Sequence, residues 1–519
     1  MSAFLDARGV EAGTLITTDI CVIGAGAAGI TIARDLAGSR NDVYVVESGD
    51  LELEAATQEL AGGENVGRDY ASLITTRLRS FGGTTNHWAG WCAPLDALDF
   101  EHRDWVPESG WPIGLADLLP YYERAQRSNE LAAFEYGVDA WASRERPEIA
   151  LEEDFESIVW QFSPPTRYGQ VYRDELERAP NVHVLLNANL TGITTTDAAD
   201  HVEEVTLTTL AGTSFRLAAR YFVIACGGIE NARVLLLAND VERAGLGNRH
   251  DLVGRYFMEH PHVTTSTCVF VQPEQSVDLY ASRSPRRVFG GLGAVTRVVD
   301  RLRREVSFLP PLVPVRAGLR VSGAAQRRDG ILNAVAVLGD TTAEDRLTAD
   351  VQQMISVSMH PERDPVRPYD VRLQLEQAPN PDSRVTLGDD RDALGQRTTR
   401  LDWRLNELDE RTMVQATWSL GRALGLSHQG RLRLKEWVME HAGSWEGMYG
   451  GSHHMGTTRM SQDPTRGVVD SDCRVHGVGN LYVAGSSVFP TGGCVNPTLT
   501  LTALAHRLAD HLRDRASAA

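Results

Sequence analysis

The feature that most constrains this chain is Gly24-Ala-Gly26-Ala-Ala-Gly29, set between an apolar, β-branched run (Asp19-Ile-Cys-Val-Ile-Gly24) and a helical stretch from Ile30 to Ala37. The run reads as a strand buried on both faces. Each glycine has its own physical task. Gly24 permits a tight turn, Gly26 lets the backbone approach a pyrophosphate, and Gly29 lets helix and strand pack closely. The helix N-terminus, with its partial positive charge, then meets the phosphates. A second strand, Asp42-Val-Tyr-Val-Val-Glu47, ends in an acid placed to accept hydrogen bonds from a ribose diol. A dinucleotide-binding βαβ unit is predicted, and this segment alone does not choose between NAD and FAD.

At 519 residues the chain calls for two packed lobes rather than one core. Its formal net charge of −18 disfavours nucleic acid as a partner, because a phosphate backbone would be repelled. No window reaches the ~18–20 uninterrupted apolar residues of a membrane span, and Met1–Thr18 does not read as a secretory signal. Six cysteines without a CxxC pair read as free thiols, which predicts a cytoplasmic protein without a metal centre.

Further along, Tyr221-Phe-Val-Ile-Ala225 reads as a parallel strand returning to the nucleotide lobe, followed by Cys226-Gly-Gly and a helix over 230–238. Val182–Leu190 and Glu203–Leu210 read as strands that flank an adenine. Alternating strand patterns across 262–440, such as Arg384-Val-Thr-Leu387, predict a substrate lobe. Within it, Arg283, Arg286, Arg287 and the glycine-rich 290–293 run read as a mobile, solvated insertion over 275–330, a candidate lid. The predicted nucleotide lobe comprises 1–110, 180–261 and 441–519, and the substrate lobe comprises 111–179 and 262–440.

Two polar, glycine-rich segments complete the pattern. One is Arg79-Ser-Phe-Gly82-Gly83-Thr84-Thr85-Asn86-His87-Trp88, whose amides and hydroxyls could line the edge of a flat ring system. The other starts at Gly451-Ser-His453-His454-Met-Gly456-Thr457 and continues through Ala484-Gly485-Ser486 to Asn496-Pro497-Thr498 and a closing apolar helix. Together with Ala225–Leu235 and Glu376–Val385, these motifs resemble the glucose–methanol–choline (GMC) oxidoreductase family nearly from end to end. The short tail and the His87-Trp88 pair look most like its pyranose-oxidase branch and the bacterial glycoside 3-oxidases.

The resemblance implies an α/β fold in which a Rossmann-like FAD-binding lobe is interleaved with an α+β substrate lobe on a mostly antiparallel sheet. It implies FAD as cofactor, held by Gly24, Gly26, Gly29, Glu47, Arg79, Gly82, Gly83, Thr84, Asn86, His87, Trp88, Leu190, Cys226, Gly485, Ser486, Asn496, Pro497 and Thr498. His87 matches a histidine that can bond covalently to the flavin. Asn86 stands where covalent members carry threonine, so unbonded FAD is the expectation.

His453 matches the family's catalytic base, and an imidazole with an ordinary pKa of ~6.5 suits proton abstraction near neutrality. His454 is its immediate rival. Asn496 matches the partner whose amide holds the substrate oxygen while charge develops. Pro497 leads into the last helix, whose N-terminal dipole favours negative charge at the cofactor. Gln161, Glu376 and Gln377 are candidate ligands of sugar hydroxyls, the latter two opening a predicted strand. The implied reaction takes the hydroxyl proton and passes the carbon-bound hydride to flavin N5, turning a C2 or C3 hydroxyl of a sugar or glycoside into a ketone, with O2 or another small acceptor reoxidising the flavin. A dehydrogenase of a non-sugar alcohol using a quinone or protein acceptor, and a non-redox lyase on the same scaffold, remain open, as does the oligomeric state.

Overall fold

The computed structural model describes residues 3–144, 146–151, 154–270, 276–281, 314–340, 368–440 and 445–518. The first strand of the predicted βαβ unit, Leu15–Ile23, is central in an eight-stranded sheet. It pairs in parallel with Val43–Val46 on one side and with Ser214–Ile224 on the other. Val182–Leu186, Phe4–Asp6 and Leu481–Val483 extend the parallel part, and Val202–Thr208 and Asn189–Thr195 add an antiparallel edge. Ile20, Cys21 and Val22 are fully buried, which explains the uninterrupted apolar run. The predicted strand over 182–190 is broken in two at Asn187, whose φ of 60° lies in a region that asparagine tolerates better than most residues.

A second eight-stranded sheet is antiparallel in every pairing and runs in the order Gly430–Leu434, Pro261–Phe270, Pro368–Leu375, Ala334–Asp340, Val315–Val321, Phe155–Phe162, Trp91–Cys92, with Tyr449–Gly450 beside Pro261–Phe270. Trp91–Cys92 and Tyr449–Gly450 come from segments that the sequence assigns to the nucleotide lobe, so the chain crosses between lobes more often than the motifs suggest. The strand pleat sends alternate residues to opposite faces. Val371, Leu373 and Leu375 pack with Met413, Ala416 and Leu420 of the helix Glu407–Leu426 in one core. Val335 and Val337 join the core of the nucleotide lobe. This second face also carries Arg372 and Gln374, which border the cavity described below.

Arg384–Arg391, which contains the predicted 384–387 strand, belongs to neither large sheet. It forms a small three-stranded one with Arg397–Asp402 and Gly63–Asn65. Of the expected insertion, 282–313, including the arginines and glycines that suggested a lid, lies outside the described residues. The part from 315 onward is not a solvated insertion: Val315–Val321 is an interior strand of the antiparallel sheet, with Ala317 and Leu319 buried, and Gly323–Asp329 is a helix capped by Ser322. No described helix is long and apolar enough to cross a membrane.

Candidate active site

A cavity of about 600 Å³ runs between the two large sheets, from the glycine turn and Glu47 to His453 and Asn496. Its nucleotide end follows the local rules of the turn. Gly24 has a φ of 106°, and a Cβ there would stand 2.6 Å from the Ala225 carbonyl oxygen. A Cβ at Gly29 would meet the Gly24 oxygen at 1.9 Å, so helix and strand touch only because both residues are glycine. Gly26 caps the helix Ala27–Leu36 without a side-chain bond, and a Cβ on it would point into open space. That leaves a bare helix N-terminus beside the cavity, a site matched to a pyrophosphate.

Glu47 is buried; its carboxylate accepts from the amides of Ala25 and Gly49, both at 2.9 Å, and burial raises its pKa. Arg79 donates to Ser48 and Glu230, and the Cys226 backbone N–H donates to Asn231 Oδ1 at 2.7 Å. Thr84 and His87 turn exposed side chains to the cavity, while Trp88 is anchored by a 3.0 Å bond to the Thr166 carbonyl.

The expected cofactor residues gather around this one space, except for three. Gly29, Gly82 and Asn86 do not line it. Gly29 packs helix to strand, and Gly82, at φ 97°, donates its amide to the Ala25 carbonyl at 2.8 Å. Asn86 ties the loop by donating to Ser80 Oγ and the Phe81 carbonyl. These three shape the wall from behind. Leu190, Gly485, Ser486, Pro497 and Thr498 border the cavity directly, the last opening the helix Thr498–Ala518.

At the other end of the cavity, the loop carrying His453 lies along the segment that enters the strand Pro261–Phe270. Met258 and Met455 exchange backbone bonds, Gly451 donates to the His260 carbonyl, and a Cβ at Gly456 would collide with the Tyr256 oxygen at 2.1 Å. This pairing brings His453 against His260, a residue that the motif reading missed. Their Nδ1 atoms are 2.8 Å apart, and His260 Nε2 faces the carbonyl oxygens of Gly493, at 2.9 Å, and Gly492, at 3.3 Å.

The carbonyls can only accept, so His260 Nε2 carries a hydrogen. In the neutral ring its Nδ1 is then an acceptor, and His453 Nδ1 must donate to it. The lone pair of His453 is thereby placed on Nε2, 3.0 Å from Asn496 Nδ2, which donates to it. Gln374 completes the chain, donating to the Cys494 carbonyl at 2.9 Å and approaching Asn496 Oδ1 at 3.5 Å. Burial keeps both rings neutral: it lowers the pKa of His260 to about 4 and holds that of His453 well below its ordinary value, neighbouring histidines adding to the effect.

Beneath the pair lies Glu259, fully buried, accepting from the backbone amides of His453 and His260 and from the Tyr70 hydroxyl. Burial raises its pKa to about 7 against those hydrogen bonds. His454, the rival to His453, makes different contacts: its Nε2 meets the Tyr70 hydroxyl at 2.9 Å, its carbonyl accepts from Ser486, and burial, reinforced by Arg77, lowers its pKa to about 3.

The three other expected substrate ligands are structural and do not line the cavity. Gln161 is fully buried, accepting from Gln126 and the Ala132 amide and donating to the carbonyls of Ala133 and Glu135. Glu376 follows the strand Pro368–Leu375 instead of opening one, and pairs with Arg103 through two bonds of 2.8 and 2.6 Å. Gln377 accepts from Trp403 and the Glu259 amide and donates to the Arg404 carbonyl, locking the Glu259 segment. The sequence signal for the missed residues was present in two places. Glu259-His260-Pro261-His262 crowds three ionisable side chains at a strand start, and Asp370, Arg372 and Gln374 form the polar half of an alternating strand. No cluster of histidine, cysteine and carboxylate side chains suited to a metal occurs among the described residues.

A Rossmann-type sheet with a pyrophosphate-compatible helix terminus, opening onto a neutral histidine–asparagine pair, defines a flavin-dependent oxidoreductase acting on CH–OH groups. The chain belongs to the FAD-dependent oxidoreductases, whose family model matches residues 19–326, and its residues 379–505 match the C-terminal model of the GMC oxidoreductases. It is similar to a 6'''-hydroxyparomomycin C oxidase of Streptomyces lividus, 26% identical across 98% of this chain and 95% of that protein. A C-glycoside 3-oxidase of Microbacterium trichothecenolyticum is 35% identical over 26% of this chain and 25% of its own length. The fold is shared with the crystal structure of a pyridoxine 4-oxidase from Mesorbium loti, with a TM-score of 0.59 and 14% identity over 95% of this chain and 98% of that one. The cofactor is FAD, and the cavity residues fit it.

Proposed function

We propose that the protein oxidises a secondary alcohol of a sugar or glycoside, a C2 or C3 hydroxyl becoming a ketone, with His453 as the base and Asn496 as its partner. The observation that carries this reading is the directed hydrogen-bond chain from the Gly493 carbonyl through His260 and His453 to Asn496, which leaves the basic Nε2 on the cavity side. The names of the oxidases to which the chain is similar support a sugar-like substrate.

Bound FAD supplies the acceptor for the hydride. The chain's own residues do the rest. A substrate hydroxyl entering between His453 Nε2 and Asn496 gives its proton to the imidazole and receives the asparagine N–H. The amide thus holds the oxygen while negative charge develops. His260 keeps the imidazole in its productive tautomer, and the Glu259 carboxylate fixes the His453 backbone through the 3.0 Å amide bond. Glu47, the Gly26 helix terminus, Arg79 and the Gly83–Trp88 loop are the residues that would hold the cofactor.

The test is an anaerobic titration of the FAD-loaded protein with glucose and simple glycosides, following the flavin band near ~450 nm. Bleaching by a sugar that air reverses is the expected result and makes the protein a sugar oxidase. Bleaching that persists in air identifies a dehydrogenase with another acceptor. No bleaching with any sugar, in a protein that retains FAD, overturns the sugar assignment and turns attention to other alcohols or a lyase reaction.

A further inference from the structure

We infer that the catalytic end of the cavity contains an anion-accepting subsite built on Arg372, and that the substrate is a carboxylate-bearing sugar or glycoside rather than an amino sugar. This deepens the sugar-oxidation reading and rests on it for the word sugar, but the subsite itself stands on separate observations.

The first observation is charge balance along the cavity wall. At the nucleotide end every lining arginine has an acid: Arg77 and Arg79 reach Glu230, and Arg233 reaches Glu230 and Asp392. Arg372 lines the same cavity at the other end and has no acidic partner among the described residues. Its Nη1 donates to the Tyr449 hydroxyl at 3.0 Å, its Nε is buried, and its Nη2 is left without an acceptor among the described residues. A guanidinium that is half-buried and short of partners is a strong donor awaiting an acceptor.

The second observation is the platform beside it. Tyr449 stacks on His262, with ring centroids 5.1 Å apart and planes within 7°. His262 is itself buried, its Nδ1 has no partner, and its centroid lies 6.2 Å from that of His453. Gly451 makes room for this arrangement, because a Cβ there would meet both His262 Nε2 and His453 Nδ1 at 2.8 Å. The base, the stacked pair and the guanidinium therefore form one continuous wall. A sugar ring presenting one hydroxyl to His453 can lay its body along the Tyr449–His262 stack and an acidic substituent against Arg372.

The planar fork of arginine suits a carboxylate through two parallel bonds. An ammonium in the same place would face like charge with no carboxylate among the described residues to receive it, since the described acids that line the cavity (Glu47, Glu230 and Asp392) belong to the nucleotide end.

Three matched probes test the subsite: methyl β-glucuronide, methyl β-glucoside and methyl 6-amino-6-deoxy-β-glucoside. Binding is read from the perturbation of the flavin spectrum of the oxidised holoenzyme, and turnover separately from its bleaching. The wild-type protein should bind the glucuronide about tenfold or more tighter than the glucoside, with the amino sugar weakest. In Arg372→Gln the glucuronide-to-glucoside ratio should collapse toward one, and in Arg372→Glu the ranking should turn toward the amine. Equal binding of all three by the wild-type protein, or tightest binding of the amino sugar, overturns the inference even if neither variant folds. A preference for the glucuronide that survives in Arg372→Gln also overturns it. Ranked binding without bleaching by any of the three supports the subsite while refuting sugar oxidation, so the two claims fail separately.

Discussion

Replacing His260 with phenylalanine removes two interactions while keeping an aromatic ring, slightly larger, at the buried site. The first is the Nδ1 acceptor that receives His453 Nδ1–H at 2.8 Å, and the second is the donor to the Gly493 carbonyl at 2.9 Å. A buried donor left without a partner costs about 1–3 kcal/mol. His453 escapes that cost by moving its proton to Nε2, where Asn496 can turn its amide oxygen to accept. That tautomer has no lone pair on the cavity side. With each ~1.4 kcal/mol worth a factor of ten in rate, flavin reduction should slow by about 10- to 100-fold. His260→Gln can still accept from His453 and donate to Gly493, so it should recover to within about fivefold of wild type, the barrier difference then being under ~1 kcal/mol. The assay is anaerobic rapid mixing with saturating sugar, run on protein checked for full FAD content. As pH falls from about 8 through about 6, wild-type reduction should not show the tenfold-per-unit loss of a protonating base, because burial holds the pKa of His453 well below ~6.5; a shallow step near pH 7, where burial places the Glu259 carboxyl, is the change expected in that window. Wild-type rates in the phenylalanine variant, or equal losses in both variants, would refute the tautomer argument.

Gly29→Ala places a Cβ 1.9 Å from the Gly24 oxygen, so the helix must move off the strand; FAD content after purification should drop sharply, and full occupancy would contradict the packing role. Arg103→Met strips the partner from Glu376, both side chains being fully buried, and should destabilise the fold by about 3–5 kcal/mol in denaturant titration. Replacing the pair together, Arg103→Met with Glu376→Leu, should cost less than the single change; a larger loss would mean the pair is worth more than its desolvation. Acid precipitation should release free FAD to the supernatant, whereas a yellow pellet would show a covalent bond, with His87 as the candidate.

The parts of this molecule that local chemistry dictates were legible in its sequence. The turn Gly24–Gly29 needs only neighbours within the βαβ unit, and its glycine pattern states which backbone approaches are close. The Gly82–Trp88 loop and the His453–Asn496 tail were readable as motifs, and they meet at the cavity. What escaped were roles decided by distant partners. Gln161, Glu376 and Gln377 are polar residues in apolar strand contexts, which suits a ligand as well as a buried structural bond. The deciding partners of Glu376 and Gln377, Arg103 and Glu259, lie 273 and 118 residues away in the chain. His454 is adjacent to His453 and chemically identical, and its contact with Tyr70, 384 residues earlier, is what tells the two apart. His260 and Arg372 were visible as unusual polar density on strands, but their meaning depends on pairings between the strand Pro261–Phe270 and the loop that begins at Tyr449. The lobe boundaries were blurred for the same reason, since two-residue strands such as Trp91–Cys92 carry no periodicity of their own.

The most direct test of the account is single-turnover flavin reduction in His453→Ala under anaerobic conditions, with the sugar that bleaches the wild-type protein best. The cofactor-binding wall is untouched by this change, so the variant should keep its FAD. Reduction should slow by about two to four orders of magnitude, the usual worth of a positioned base. A rate within about tenfold of wild type, below that usual range, would contradict the assignment of His453 and with it the reading of the His260–His453–Asn496 chain as the machinery of the reaction.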